Sequence, residues 1–553
     1  MRAARSSGWV YLMVAVAIAV DSGCANSASG PSVAQTAAGG EGTSPRESSA
    51  AGSSVTSGNR SSTSNEGLAP GALANAGSVG SSEKPDAASA ATSPTSARAL
   101  PQLQRDFVDL RFGMFIHFGI LTFCGSLPGD PCPGTWSQAN LAITNFKPSS
   151  LYSPSQWAEA AVSAHMRFGV LTTRHHDGFA LWPSAAGTFN VKSIPWKDGS
   201  GDVVRDYVDA FRSAGLLPGL YYSIWDNTQG IGNGPVTSEQ LAYVKTQITE
   251  LLSNYGPIPI LVIDGWSWKM GHRAVPFEEI RELVKSLQPD CLLTDHTHLY
   301  DPWEVDIVNF EEPAGGFAPA SNSYAAEQGM KINGSGGNDW FWAPNLGNLL
   351  SVASIVNDHL GLLEPRWTNF LLNTPPNRDG LLDPAIVTRL AEVGGAWSPN
   401  PERPALPSQP RLIEHPYTPV SATATSGVAD NAIDGLNDRT LHTFWETAGA
   451  FPQSITLDLG QVRPDVGMLA YVPRYALTPG AGGLTDGAIT SYGISVSEDG
   501  SSFTQAAAGT WAADGRLQSA TFGPLPTRYV RLEVRAAMGA AAVITELSVG
   551  ANR

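Results

Sequence analysis

The chain has 553 residues, 42% of them hydrophobic, with 15 tryptophans. That is enough apolar mass for more than one buried core. Fifty acidic side chains against 34 basic ones give a formal charge of −16, which argues against a nucleic-acid partner and fits an enzyme acting on neutral substrates.

The first segment reads as an export signal. Arg2 and Arg5 precede the apolar run from Trp9 to Val20, and Asp21-Ser22-Gly23-Cys24 follows. A charged start, a short apolar stretch and small residues at the exit describe a signal peptide over 1–24 rather than a membrane span. Cys24 after Ser22-Gly23 is similar to the lipid-attachment cysteine of bacterial lipoproteins, although Asp21 stands where an aliphatic residue is preferred. Membrane attachment through Cys24 and simple secretion both stay open, with a periplasmic, cell-surface or extracellular location. Residues 25–98 are mostly Ser, Ala, Gly, Thr and Pro without an aromatic residue; such a composition cannot offset chain entropy and predicts a disordered tether. In an exported protein Cys124 and Cys132 would close a small loop, and Cys291, opening an apolar run, would be a buried thiol.

From 99 to 398 strand-like runs alternate with helical patterns. The runs are Phe112–Phe118, Phe168–Thr173, Leu217–Ser223, Pro259–Ile263, Cys291–Thr294, Asp306–Phe310 and Thr368–Leu372. Helical stretches lie between them at Ser153–Met166, Asp202–Ala214, Ser238–Asn254 and Phe277–Leu287. Ser153-Pro154 and Gly201-Asp202 look like helix starts, with a capping side chain and a first-turn Pro or Asp. The alternation, without a Gly-rich phosphate loop after the first strand, favours an α/β fold of the (β/α)8 barrel type over a doubly wound sheet. A Pro-rich connection over 399–419 leads to 420–553, where short alternating strands and turns such as Asp499-Gly500 predict an all-β sandwich.

Several predicted strands run out into ionisable residues, and on a parallel barrel that end is where catalytic groups collect. The first delivers His117 and the second His175 and His176. The third ends in Tyr221-Tyr222-Ser223, the fourth in Asp264-Gly265-Trp266. Later strands bring Asp295 and His296, then Glu311 and Glu312. Any one of these has a plain alternative: a packed histidine pair, or a carboxylate serving as a helix cap or ion-pair partner. Their recurrence at strand after strand favours a site. Aromatic faces with a few polar groups hold sugar rings, and paired carboxylates cut glycosidic bonds.

The pieces Arg111-Phe112-Gly113-Met114-Phe115-Ile116-His117-Phe118-Gly119, His175-His176-Asp177-Gly178-Phe179 with Trp182-Pro183-Ser184, Tyr221-Tyr222-Ser223, Ile263-Asp264-Gly265 and Asn369-Phe370-Leu371-Leu372-Asn373 occur in that order. Together they resemble the α-L-fucosidases of glycoside hydrolase family 29. The resemblance implies a retaining mechanism on terminal α-L-fucose. Asp264 would be the nucleophile that forms a covalent glycosyl-enzyme, and a second carboxyl group the acid/base. It further implies that His117, His175, His176, His296 and Tyr222 (or its neighbour Tyr221) contact the sugar, that Trp136 lines the pocket, and that no metal or organic cofactor takes part. The acid/base varies in position within the family. Glu311 is the first choice, Glu312 the first rival and Glu327 the second; Glu304 reads as a loop charge.

Two departures from the family pattern touch the sugar pocket: Val262-Ile263 stands before Asp264 where many members carry an aromatic residue, and His296 where some carry Arg. The run Tyr222-Ser223-Ile224-Trp225-Asp226 looks like the branch preferring α-1,3/1,4 linkages on fucosylated glycans. The C-terminal region resembles discoidin-like (factor 5/8 type C) carbohydrate-binding modules through Asn431-Ala432-Ile433-Asp434-Gly435, Thr443 with Trp445, Tyr471-Val472-Pro473-Arg474 and Thr545-Glu546. That implies a structural calcium near Asp434 and Glu546, ligand contacts at Arg474 and Tyr475, and a core role for Trp445. A glycan-binding protein that kept the barrel and lost activity is the alternative, with Asp264 as the discriminating residue.

Overall fold

The structure, a computed structural model, describes residues 98–124, 141–232, 235–266, 268–272, 274–296, 305–312, 316–334, 340–344, 346–409, 415–434, 444–473, 487–513 and 517–551. The expectations for the export signal, Cys24, the tether, Cys132, Trp136, Glu304, Thr443, Arg474 and Tyr475 lie outside these residues. Among the described residues no helix is long and apolar enough to cross a membrane.

Eight parallel strands form the first domain: β1 (Phe112–Ile116), β2 (Phe168–Arg174), β3 (Leu217–Ser223), β4 (Ile260–Asp264), β5 (Leu292–Asp295), β6 (Val308–Glu311), β7 (Ala326–Lys331) and β8 (Thr368–Asn373). They follow the order β5-β4-β3-β2-β1-β8-β7-β6, so β1 pairs with β8 and nearly closes a barrel. The remaining seam between β5 and β6 carries isolated bonds, Asp306 N–H to Leu293 O at 2.8 Å and Thr294 Oγ1 to Ile307 O at 2.9 Å. Seven strands coincide with the apolar runs of the sequence. The eighth, β7, does not: its sequence AEQGMK lacks an apolar run, yet every residue in it is buried.

The strands are buried on both faces, and their residues sort into two cores. Phe115, Val170, Tyr221, Ile260, Val262, Ile307 and Leu371 pack inside the barrel. Their chain neighbours Met114, Leu171, Tyr222, Leu261, Ile263, Val308 and Phe370 pack outward with the helices. This is the period-two alternation of a strand, and it fixes which side chain of each C-terminal end faces the cavity. Helix α1 (Leu100–Val108) sends Leu103 and Phe107 into the inner core, Phe107 meeting Phe168 edge-on at 5.6 Å, and so plugs the amino-terminal mouth.

The outer helices begin where the sequence indicates, with one difference. In α3 (Val203–Ser213) the Asp202 carboxylate accepts from Arg205 N–H at 2.9 Å, and α4 (Ser238–Asn254) has a Thr237/Gln240 capping box. In α2 (Pro154–Ser163) Pro154 supplies the first turn, but the Ser153 side chain makes no capping bond. Helix α5 (Phe277–Leu287) follows β4 with Glu278 and Glu279 in its first turn, favourable against the helix dipole. Cys124 is disulfide-bonded, and Cys291 is a buried free thiol.

The second domain is antiparallel. Two long strands, Gln453–Val472 and Gln518–Ala537, form its spine. Register shifts between Asp458 and Met468 bend the first of them. Its two halves therefore place Ile455 and Leu457, then Leu469 and Tyr471, in one core. Trp445 is fully buried there, its indole N–H donating to Ser426 O at 2.6 Å, a core residue as expected. Asp434 and the buried Glu546 are both engaged in contacts.

Candidate active site

The carboxyl ends of the strands bring His117, His175, His176, Tyr221, Asp264, His296 and Glu311 to the inner face of one mouth. Asp264 is the last residue of β4 and, two positions beyond the inward Val262, it too faces in. Its carboxylate accepts from the Tyr221 hydroxyl at 2.5 Å, the Trp268 indole N–H at 2.7 Å and its neighbour Gly265 N–H at 2.5 Å. Burial alone would raise the pKa of this carboxyl group. The positive field of His296 and the Tyr221 and Trp268 donors outweigh burial and hold it well below the usual carboxylate range. Asp264 is therefore ionised at any physiological pH. Burial, followed by the charge of Asp264, pushes the Tyr221 phenol well above its ordinary range, so it remains a donor.

This corrects the expectation for Tyr222. Its hydroxyl points outward to Gln247 Oε1 at 3.1 Å, and its ring lies 4.2 Å from the Arg174 guanidinium carbon, in the layer between barrel and helices. Arg174 is itself fully buried and paired with Asp226 at 3.1 Å; removing one partner of such a pair costs about 3–5 kcal/mol. Tyr221, one residue earlier, has the inward phase. A register shift at the end of β2, between Thr172 and Arg174, precedes the adjacent histidines. The His175 ring stacks near-parallel to Tyr221 at 5.8 Å and His176 lies over Trp225 at 4.5 Å.

The hydrogen-bond network assigns the imidazole tautomers. Ser223 Oγ donates to Trp225 O at 2.7 Å, so it accepts from His176 Nδ1–H at 2.6 Å. The bare Nε2 of His176 is left facing Asp264 Oδ2 at 3.6 Å. Asn373 Nδ2 donates to Trp340 O at 2.7 Å, so its Oδ1 accepts from His117 Nδ1–H at 2.8 Å and leaves His117 Nε2 as an acceptor. Burial lowers His176 to about 4 and His117 to about 3. Both rings are neutral, and the 3.6 Å approach of His176 to Asp264 is not an ion pair at neutral pH. Two neutral imidazoles with inward acceptor nitrogens suit the hydroxyl protons of an uncharged ligand.

On the opposite side His296, just past β5, places Nδ1 3.2 Å from Glu311 Oε2. Gly329 on β7 is the register partner of Glu311. The two rivals separate clearly. Glu312 has the outward phase and reaches His359 Nε2 at 3.2 Å. Glu327 is fully buried in the barrel, where Oε1 accepts from Asn309 Nδ2 at 3.0 Å and Oε2 has no hydrogen-bond partner among the described residues. Burial pushes Glu327 up to about 7.

Trp340 and Phe341 form an aromatic wall, at 5.0 Å and 5.4 Å from the His117 ring. Sequence reasoning missed Trp340 and Phe341 as site residues, and also Trp268, which follows Asp264 by four positions in an irregular turn where strand alternation gives no guidance. Among the described residues His175, His176 and Asp264 have ligand atoms within 4.8 Å of one another. The Asp264 oxygens there already accept three hydrogen bonds, leaving little free donor capacity for an ion. The donor set fits a hydrogen-bonding ligand better.

The family profile described as Alpha-L-fucosidase matches residues 79–400, and that of the F5/8 type C domain matches residues 417–547. Alpha-L-fucosidase 1 of Arabidopsis thaliana is 30% identical over 307 residues, 50% of this chain and 56% of that protein. Tissue alpha-L-fucosidase of Rattus norvegicus is 24% identical over 336 residues, 53% of this chain and 67% of that protein. The chain thus spans little more than half to two thirds of the length of these curated relatives. Among solved structures, unliganded alpha-L-fucosidase AlfC from Lactobacillus casei aligns over 54% of this chain and 98% of its own, with 22% identity and a TM-score of 0.42.

Proposed function

We propose, for a chain that belongs to the α-L-fucosidase family, that it is an exported retaining glycoside hydrolase removing terminal α-L-fucose from glycans. One observation carries the reading: a buried, ionised carboxylate at the end of β4 faces neutral imidazoles, and a second carboxyl group joins the same mouth through His296. A pocket of acceptor imidazoles can take up sugar hydroxyl protons while Asp264 attacks the anomeric carbon. Retention requires the two carboxyl groups to stand about 5–5.5 Å apart. Glu311 would protonate the leaving oxygen, and after glycosylation it would take a proton from the attacking water.

Export rests on the N-terminal pattern, and a preference for α-1,3/1,4-linked fucose on the run from Tyr222 to Asp226. The F5/8 type C domain would hold the enzyme on fucosylated glycoconjugates, with a calcium near Asp434 and Glu546 in a structural role. No cofactor enters the chemistry. The test incubates the purified full chain with fucosylated trisaccharides of each linkage and follows the anomer of released fucose by NMR. Release of the α-anomer, lost in Asp264→Ala, together with formation of α-fucosyl azide from a nitrophenyl fucoside by Glu311→Ala in azide, supports the reading. Release of the β-anomer, or no fucose from any substrate, overturns it.

A further inference from the structure

His296 stands between the two carboxyl groups on which the proposed reaction depends. It is 5% exposed, and its Nδ1 meets Glu311 Oε2 at 3.2 Å, within hydrogen-bond reach. The ionisable groups around it come from every part of the mouth. Asp264 on β4, Glu311 on β6 and Glu327 on β7 favour charge on the ring, while His117 after β1 and His176 after β2 face it as neutral rings. Tyr221 of β3 meets it edge-on at 5.9 Å.

We propose that His296 is a positioning residue that shares a single proton with Glu311 and passes it to that carboxylate when Asp264 loses its charge to the sugar. The inference rests on the hydrolase reading above and adds the source of the acid's proton. At rest the site holds the Asp264 carboxylate and one proton between His296 and Glu311. Burial opposes charge on the ring, yet Asp264 and Glu311 pull it up to about 9. Glu311 acts as an acid only while it carries the proton of the pair, so that proton must be on the carboxyl group during the first step.

The charges supply the trigger. As a carboxylate lone pair of Asp264 bonds to the anomeric carbon, the electron pair of the breaking C–O bond goes to the leaving oxygen. The new ester is uncharged, and the imidazolium loses the anion that most favoured it. Its Nδ1 proton moves to Glu311, whose proton goes to the leaving oxygen. The covalent intermediate then has neutral His296 and ionised Glu311, and the site carries the same net charge of one negative as before. In the second step water bonds to the anomeric carbon, its proton returns to the His296–Glu311 pair, and Asp264 leaves as a carboxylate. The pair titrates as a unit, and its apparent pKa values belong to both members.

The test compares the unaltered full chain with His296→Arg and His296→Asn. Arginine keeps the cation but cannot release its proton. With an oligosaccharide whose leaving oxygen needs protonation, kcat/KM of His296→Arg should fall by about 100-fold or more, the weight of general acid catalysis. With a nitrophenyl fucoside, whose leaving group departs unaided, it should change by less than about tenfold. In His296→Asn the alkaline limb of kcat/KM should move to lower pH, because the proton of the pair has lost its imidazole holder. Equal losses on both substrates with an unmoved limb would mean that His296 only packs the site, and would overturn the proposal. A readout independent of turnover is the nitrogen-15 NMR titration of histidine-labelled protein. The step missing from His296→Asn should lie at lower pH in Glu311→Gln than in the unaltered chain; an unshifted step refutes the shared proton. If the unaltered chain releases no fucose while this step behaves as expected, the hydrolase reading fails and the proton-sharing pair stands.

Discussion

The two halves of the barrel mouth bury the same side chain and give it opposite charge. On the β1–β2 side His117 and His176 are stripped of their protons by burial. On the β5–β6 side His296, equally buried, holds its proton because Asp264 and Glu311 outweigh the same desolvation. Burial lowers all three rings and Asp264 raises all three; what sets His296 apart is the second carboxyl group, Glu311, in contact with its Nδ1. The result is a mouth with a neutral half suited to hydroxyl groups and a charged half suited to proton transfer, with Asp264 on the boundary.

Removing the boundary anion should have the largest effect. Asp264→Ala should lower kcat on an aryl fucoside by about 10⁴-fold or more, the scale of losing a covalent nucleophile. In the same variant His296 should lose its raised pKa and resemble His117, as NMR would read. Next comes the tyrosine pair. Tyr221→Phe removes a donor from an ionised group, worth about 1.5–3 kcal/mol, so kcat/KM should fall by about ten- to a hundredfold. Tyr222→Phe should stay within about twofold in kcat/KM and lose about 1 kcal/mol of stability to urea.

Glu327 tests the charged half from below. Its folded-state pKa, raised from the ordinary 4.5 to about 7, means that the folded chain binds a proton more tightly than the unfolded one. Stability is full below pH 4.5 and declines as pH rises toward 7, by about 3 kcal/mol in all. In Glu327→Gln that decline should disappear from urea midpoints measured at pH 5 and pH 8. The smallest effect belongs to Glu312→Gln: facing out toward His359, it should leave kcat/KM within about twofold, and an azide-rescued loss there would reverse the assignment of Glu311.

Most of the barrel was legible because parallel strands buried on both faces leave continuous apolar runs. The same property hides their phase. Leu220-Tyr221-Tyr222-Ser223 has no alternation to read, and only pairing with β4, Ser223 beside Asp264, determines which tyrosine faces in. Strand β7 escaped for the opposite reason: its inward positions carry Glu327 and Gly329, which make no apolar run. At the end of β6 strand alternation did separate Glu311 from Glu312, since adjacent residues there point to opposite faces. Glu327 needed the three-dimensional depth of the barrel.

Gly265 sets a limit on how this cavity can be remodelled. Its φ of +67° suits glycine, and a Cβ added there would come within 2.5 Å of Trp225 Cβ. The turn that follows Asp264 is thus flush with the turn whose indole supports His176, with no slack between them. A change of length or bulk in either turn would displace both, and with them the spacing of imidazole and carboxylate. Attempts to alter which ligands fit should leave that corner unchanged.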